Sequence, residues 1–334
     1  MTDNYDVVVI GGGAAGLNGA LMLARARRSV LVIDAGAPRN APADGVHGLL
    51  AREGMSPIEL LTRGREEVTS YGGELTTGEV VSAERTGDEF TVTLSDGRTV
   101  RARRLLVTTG LVDELPEVAG LRERWGRDVV HCPYCHGWEV RDRAIGIIGS
   151  GPMAVHGALL WRQWTSDVTL FTHTVTLTPE QSEQLAARGI RMIPGLVESV
   201  ETADDRIVGV RLADGTRVAR AVLVAPTRMV ARAAFLAPLG LRPAEHPSGA
   251  GEYLPADPMG RTEVPGVWVA GNVTDLSAQV GAAAAAGAMA GAQINFELVT
   301  EETERAVAAH RELFSAAVEA EVTEQVLGDR AHGI

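Results

Sequence analysis

The sequence predicts an α/β fold with two doubly wound βαβ halves, and three observations carry the prediction. A glycine-rich turn separates a strand from a helix near the start, and a second such turn lies near residue 150. A late strand, Gly266-Val-Trp-Val-Ala-Gly-Asn272, ends in a further glycine turn with a long small-residue helix behind it.

The first unit begins with the apolar strand Asp6–Ile10, followed by Gly11-Gly-Gly-Ala-Ala-Gly16, a helical run to about Arg27 and the strand Ser29–Asp34. In the G-x-G-x-x-G pattern, Gly11 makes the tight turn, Gly13 admits the backbone to a pyrophosphate, and Gly16 allows the helix to pack closely on the strand. Main-chain N–H groups and the positive end of the helix dipole then meet the phosphates. Asp34 ends the second strand, where a carboxylate accepts hydrogen bonds from an adenosine ribose. Strand, helix, second strand and terminal acid agree, so this half reads as a Rossmann-like dinucleotide site.

From Gly73 to Val107 the pattern is β-rich, with a hairpin signal at Ser95-Asp-Gly-Arg98 between alternating strands. Leu115-Pro116 breaks the chain and predicts a crossing between domains. Ala144–Ile148, Gly149-Ser-Gly-Pro-Met-Ala154, a helix over Val155–Trp164 and Asp167–Phe171 repeat the βαβ order, which is an internal duplication. A turn at Asp214-Gly215 and a buried strand at 221–225 come next. From Glu301 a separate helix is predicted, with Val307, Phe314, Val318 and Val322 at helical spacing; its apolar face packs on its own subunit or on a second copy.

Composition bounds the function. Hydrophobic content of 45% with 22% charged residues is globular, and 334 residues suit two domains. A net charge of −12 argues against nucleic acid as a partner. All the cationic side chains except histidine are arginine. The first residues are acidic where a secretory signal would be basic, so a cytoplasmic location is expected. The stretch from Gly281 to Ala292 is short and Ala/Gly-rich, which reads as a buried helix and not a membrane span.

The two cysteines, Cys132 and Cys135, are three residues apart in His131-Cys-Pro-Tyr-Cys-His136. A disulfide-stapled secreted fold would spread its cysteines to close long loops. Two thiolates also fall short of a four-ligand zinc site, and His131 and His136 lie too close in sequence to wrap a tetrahedron easily. No metal is assigned. A redox-active pair is the reading preferred to a metal site or an incidental pair.

Three of these features together resemble the low-molecular-weight thioredoxin reductase family. They are the Gly11–Gly16 fingerprint, the Cys-x-x-Cys just before a second G-x-G-x-x-A, and the late Gly-Val-Trp-Val-Ala-Gly-Asn-Val motif. The resemblance spans nearly the whole chain. It implies two three-layer ββα-type Rossmann-like domains. A discontinuous FAD domain would span 1–115 and 241–334, with an inserted NAD(P)-binding-like domain, 116–240, carrying the cysteines. It also implies FAD contacts at Ala14, Ala15, Asp34, Ala35, Gly36, Val80, Thr109, Gly110, Gly271, Asn272, Gln279 and Val280, with Asn40 and His47 as weaker candidates. Asn272 stands where the family usually has aspartate. A homodimer is the family expectation.

Two departures give the resemblance a direction. A reductase holds NADPH by arginines after the second strand of the inserted domain, because a guanidinium binds the 2′-phosphate bidentately. Here Leu170–Thr178 has neither arginine nor carboxylate, His173 is its lone ionisable side chain, and the case for NADP(H) is correspondingly weak. Secondly, His136 replaces the aspartate proton donor that comes after the second cysteine. A histidine can take and return a proton in one cycle, and when charged it favours a neighbouring thiolate. With Cys-Pro-Tyr-Cys-His-Gly-Trp-Glu, these departures resemble the dithiol oxidases of gliotoxin and holomycin type. That resemblance implies an enzyme that oxidises a small-molecule dithiol with O2. Electrons would pass from Cys132/Cys135 to FAD and then to oxygen, releasing H2O2, with His136 as the catalytic proton carrier. An NADPH-dependent reductase and a non-catalytic flavin redox sensor are the alternatives. Trp138 reads as either a pocket or a core residue.

Overall fold

The computed structural model describes residues 4–313 and 316–328. The first half runs β1 (Asn4–Ile10), α1 (Ala14–Arg25), β2 (Val30–Asp34), α2 (Pro57–Ser70), β3 (Glu74–Thr77), β4 (Val80–Thr86), β5 (Glu89–Leu94), β6 (Thr99–Val107) and β7 (Leu111–Glu114). Strands β3, β2, β1 and β6 are parallel neighbours in that order. The β6 strand is shared between two layers. Its N-terminal half pairs antiparallel with β5 in a meander that includes β4, closed by the predicted Asp-Gly hairpin.

The second half begins with β8 (Val129–Val130), the short α3 (Pro133–His136), β9 (Ile145–Ile148), α4 (Ala154–Trp161), β10 (Val168–Phe171), α5 (Pro179–Ala187) and β11 (Arg191–Ile193). It continues with β12 (Val197–Ala203), β13 (Arg206–Leu212), β14 (Arg217–Ala219), β15 (Val222–Val224) and β16 (Arg228–Ala231). Strands β11, β10, β9, β15 and β8 form a second parallel sheet, and β12–β14 an antiparallel layer on it. The duplicated pattern thus yields two three-layer units. Between them β7 and β16 pair antiparallel, just before the Leu115-Pro116 break.

The chain then returns to the first sheet through β17 (Ala244–Glu245), β18 (Glu252–Tyr253) and β19 (Val267–Val269), which pairs with the C-terminal half of β6. Two helices end the described chain, α6 (Val280–Leu313) and α7 (Ala316–Gly328). Here the expectation of a separate helix from Glu301 is corrected: α6 is one helix of 34 residues. No proline or glycine interrupts it between Gln293 and Glu301, so nothing stops propagation. Val307 is exposed on α6, and Val318 and Val322 are exposed on α7, while Phe314 lies outside the described residues.

Each sheet is buried on both faces. The apolar residues Val7, Val9 and Val32 pack under α1 and α6, while Val8, Ile10 and Leu31 face the β-meander side. In the second sheet Ile145, Ile147 and Leu170 pack under α4, while Ile148, Phe171 and Leu223 face β12–β14. The small-residue stretch of α6 has a specific purpose. A Cβ on Gly287 would lie 1.9 Å from the Ala15 carbonyl oxygen, and one on Gly291 2.7 Å from that of Gly19. Helices α1 and α6 therefore touch backbone to backbone, which any larger side chain would prevent. Among the described residues no helix is long and apolar enough to cross a membrane.

Candidate active site

One cleft of about 1490 Å³ runs from the C-terminal ends of β1 and β2 to the cysteine-bearing α3. Three helix starts face it. At the first, Gly13 is the N-cap of α1 and has no side chain to bond the first-turn N–H groups, so these donors remain for an anion. Gly11 has φ +107°, and a Cβ there would sit 2.5 Å from the Thr108 carbonyl oxygen. Around Gly13, by contrast, a Cβ would meet nothing within 4 Å. The turn is closed against the protein behind it and open to the cleft, the shape a pyrophosphate needs. At the second start, Gln279 precedes α6 and Gly271 adopts φ +77°. These features fit FAD: donors for its phosphates, Asp34 for its ribose, and length for a dinucleotide.

The cleft is lined by Gly11, Gly13, Ala14, Ala15, Asp34, Ala35, Asn40, His47, Val80, Thr109, Gly110, Gly271, Asn272, Gln279 and Val280, together with Cys132, Cys135 and His136. Gly16 and Gly36 do not line it. Gly16 lies behind the turn, where a Cβ would be 1.9 Å from the Gly11 carbonyl oxygen, and Gly36 shapes the bend after β2 with φ +76°. Asp34 accepts a bond from Arg65 at 3.0 Å, which orients its carboxylate. Asn272 donates Nδ2–H to the carbonyls of Asp275 and Ala278. Its Oδ1 is thus the atom left for a ligand, and it can only accept.

The third helix start is the cysteine loop at α3. Cys132 and Cys135 form a disulfide with a Cα–Cα distance of 5.3 Å. Pro133 occupies the first turn of α3, where its missing N–H costs no bond. The Cys132 carbonyl accepts from the N–H groups of Cys135 and His136, which fixes both behind it. Tyr134 is exposed and rests edge-on against Trp164, which in turn contacts the buried Trp161.

His136 has a buried Nδ1 with no hydrogen-bond partner. Burial pulls its imidazole below the ordinary histidine range; the Cys132 carbonyl and the Glu139 carboxylate oppose this without reversing it. His131, bonded at 3.4 Å to the Ala225 carbonyl, is also lowered by burial and by the nearby Arg39 guanidinium. Both rings beside the disulfide are therefore neutral, ready to accept a proton.

Several residues of the cleft had no local signal in the sequence. Arg39 grips Asp113 bidentately at 2.6 and 2.7 Å, and Thr227 donates to the same carboxylate at 2.8 Å. Burial alone would raise the Asp113 carboxyl, but Arg39 and Thr227 outweigh it and hold the group below its usual range. His47 lies between two carboxylates, Glu53 at 2.6 Å and Glu139 at 3.5 Å. Met153 and Leu160 bring the start and body of α4 to the cleft. Trp138 is 66% exposed, does not line the cleft, and carries the Arg141 guanidinium 4.1 Å above its ring. It belongs neither to the core nor to the pocket.

The would-be nucleotide edge of the second sheet is different in kind. His173, just after β10, accepts at Nδ1 from the Val197 main-chain N–H at 3.0 Å. Burial lowers its pKa as well. The lone ionisable side chain of that stretch is thus a neutral acceptor tied to the backbone, with no charge to offer a phosphate.

A family model described as pyridine nucleotide-disulphide oxidoreductase matches residues 5–309. Among curated proteins, thioredoxin reductase tcpT of Claviceps purpurea is 30% identical over 89% of this chain and 95% of its own. Thioredoxin reductase sirT of Leptosphaeria maculans is 30% identical over 88% and 94%. Among solved structures, HlmI superposes with a TM-score of 0.89 at 46% identity, covering 94% of this chain and 99% of that one. An oxidoreductase from Agrobacterium tumefaciens has a TM-score of 0.83 at 37% identity, covering 89% and 99%.

Proposed function

The chain belongs to the pyridine nucleotide-disulphide oxidoreductase family, and on that premise we propose that it is an FAD-dependent dithiol oxidase. It closes an intramolecular disulfide in a small-molecule dithiol of natural-product type and delivers the electrons to oxygen. The observation that carries this direction is His173: it accepts from Val197, and the stretch Leu170–Thr178 from the end of β10 then offers no cationic side chain. A reductase drawing electrons from NADPH needs that cation. The disulfide, by contrast, opens onto the same cleft as the dinucleotide turn.

In the proposed cycle a substrate thiolate attacks Cys132 Sγ, a new S–S bond forms, and Cys135 leaves as a thiolate. The second substrate thiolate attacks the substrate sulfur of that mixed disulfide and frees Cys132. The product is the substrate disulfide, and its two electrons now rest on the cysteine pair. His136, neutral through burial, accepts a thiol proton and returns it later in the cycle. Pro133 holds the two sulfurs on one rigid turn. Gly11–Ala15, Asp34 and Gln279–Val280 would hold FAD, which when bound would supply a two-electron acceptor for the cysteine pair and a route for those electrons to oxygen. The exposed Phe296, Val299, Val307, Val318 and Val322 along α6 and α7 support a homodimer as the assembled form.

The test is anaerobic reduction. A small dithiol should bleach the flavin, and air should restore the colour with peroxide formed. Rapid bleaching by NADPH would instead establish the reductase. Neither bleaching nor oxygen uptake with any dithiol would leave a redox sensor.

A further inference from the structure

Two arginines line the cleft, and their electrostatic states are opposite. Arg39 is neutralised by Asp113. Arg232 has no carboxylate partner among the described residues, and its side chain makes one long contact, from Nη1 to the Ala37 carbonyl at 3.5 Å. Its backbone is fixed on the other side of the cleft. The Arg232 N–H donates to the Gly110 carbonyl at 3.1 Å, and Thr109 Oγ1 donates to the Arg232 carbonyl at 2.6 Å.

The sheet order gives this placement its meaning. Thr109 and Gly110 come just after β6, Ala37 just after β2, and β1 lies between β2 and β6. A side chain anchored beyond β6 and reaching the loop beyond β2 passes over the end of β1. The residues there are the glycine turn, Gly11–Ala15. That turn offers phosphates only N–H groups and a helix dipole worth about half a charge, against the two negative charges of a pyrophosphate.

We propose that Arg232 is a pyrophosphate clamp, closing over the phosphates of the bound dinucleotide opposite the α1 N-terminus. It supplies the full positive charge that the glycine turn lacks. The proposal rests on the dinucleotide cleft and is independent of the direction of electron flow. Because Arg232 comes directly after β16, the clamp also ties cofactor occupancy to the strand pair that joins the two sheets.

The test is FAD affinity of the flavin-stripped full-length chain, read by quenching of flavin fluorescence at low and high salt. R232Q should weaken FAD by about tenfold or more, the loss of one charge-assisted bond, with a shallower salt dependence, and R232K should retain part of the affinity. ADP, which carries the pyrophosphate without a flavin, should lose affinity in parallel, and riboflavin should lose none. Unchanged thermal unfolding of the stripped variant would show that the fold is intact, as expected for an exposed side chain. FAD binding by R232Q within about twofold of the original protein, or an equal loss for riboflavin, would overturn the clamp alone. Failure of the unsubstituted chain to bind FAD would overturn the dinucleotide reading and the clamp together.

Discussion

The main-chain N–H of Val197 donates to His173 Nδ1 at 3.0 Å, which makes that imidazole an acceptor. His131, His136 and His173 are all held below the ordinary value of 6.5, chiefly by burial. Between that value and each lowered one, the unfolded chain binds protons that the folded chain does not. The stability these three histidines contribute is therefore fully present above about pH 6.5 and is lost as pH falls below it. Thermal unfolding midpoints should drop from pH 7 to pH 5. H173N, whose amide oxygen can still accept from Val197, should make that dependence shallower.

The disulfide and its histidine predict a kinetic pattern. C132S or C135S should lower dithiol-dependent oxygen uptake by about 1000-fold or more, since each removes a sulfur that a bond must pass through. H136Q should lower kcat by about 100-fold. The original protein should gain activity as pH rises through the depressed His136 value, and H136Q should lack that limb. A pH profile of kcat unchanged by H136Q would remove the histidine from the proton path.

Two glycines of one turn should respond in opposite ways. G11A places a Cβ 2.5 Å from the Thr108 carbonyl oxygen at φ +107°, so it should destabilise the flavin-stripped chain by about 3 kcal/mol. G13A meets nothing within 4 Å and should leave that stability unchanged. Its methyl group projects into the space assigned to the phosphates, so FAD affinity should fall. Urea unfolding and flavin fluorescence separate the two effects.

Arg39 and Asp113 make a third test. R39A leaves a buried carboxylate with Thr227 as its remaining partner, which should cost about 2 kcal/mol, less than a fully buried pair because Arg39 is partly exposed. The Asp113 carboxyl should then rise, since burial raises it once Arg39 is gone. In the original protein the depressed Asp113 contributes stability above pH 3.8, lost as pH falls further. In R39A, where burial raises the Asp113 carboxyl, that acid-side loss should disappear and stability should instead rise as pH falls, as tracked by unfolding midpoints across about pH 3–6.

What can be read from the chain depends on distance along it. The glycine turn, Asp34 and the cysteine pair are local, and local chemistry dictates them. The Asp-Gly hairpins at residues 96–97 and 214–215 are equally plain. The absence of arginine between Leu170 and Thr178 is visible too, but the Val197 bond that neutralises His173 is not. Asp113 and Thr227 meet because β7 and β16 pair, and Arg39 reaches them from the loop after β2; no periodicity announces a contact across 74 or 114 residues. The join between the two C-terminal helical patterns is hidden for another reason. The small-residue stretch and the charged stretch have different faces, since one packs on α1 and the other meets solvent.

The backbone contact between α1 and α6 has a consequence for the order in which the protein matures. Asn18, one turn into α1, bonds the Ala284 carbonyl at a separation of 266 residues, and Gly287 abuts Ala15 at the phosphate turn. The ribosome makes the turn well before its supporting helix. A nascent chain that has not yet released α6 has the glycine motif but not the rigid floor beneath it. Flavin binding should therefore require a chain synthesised through α6.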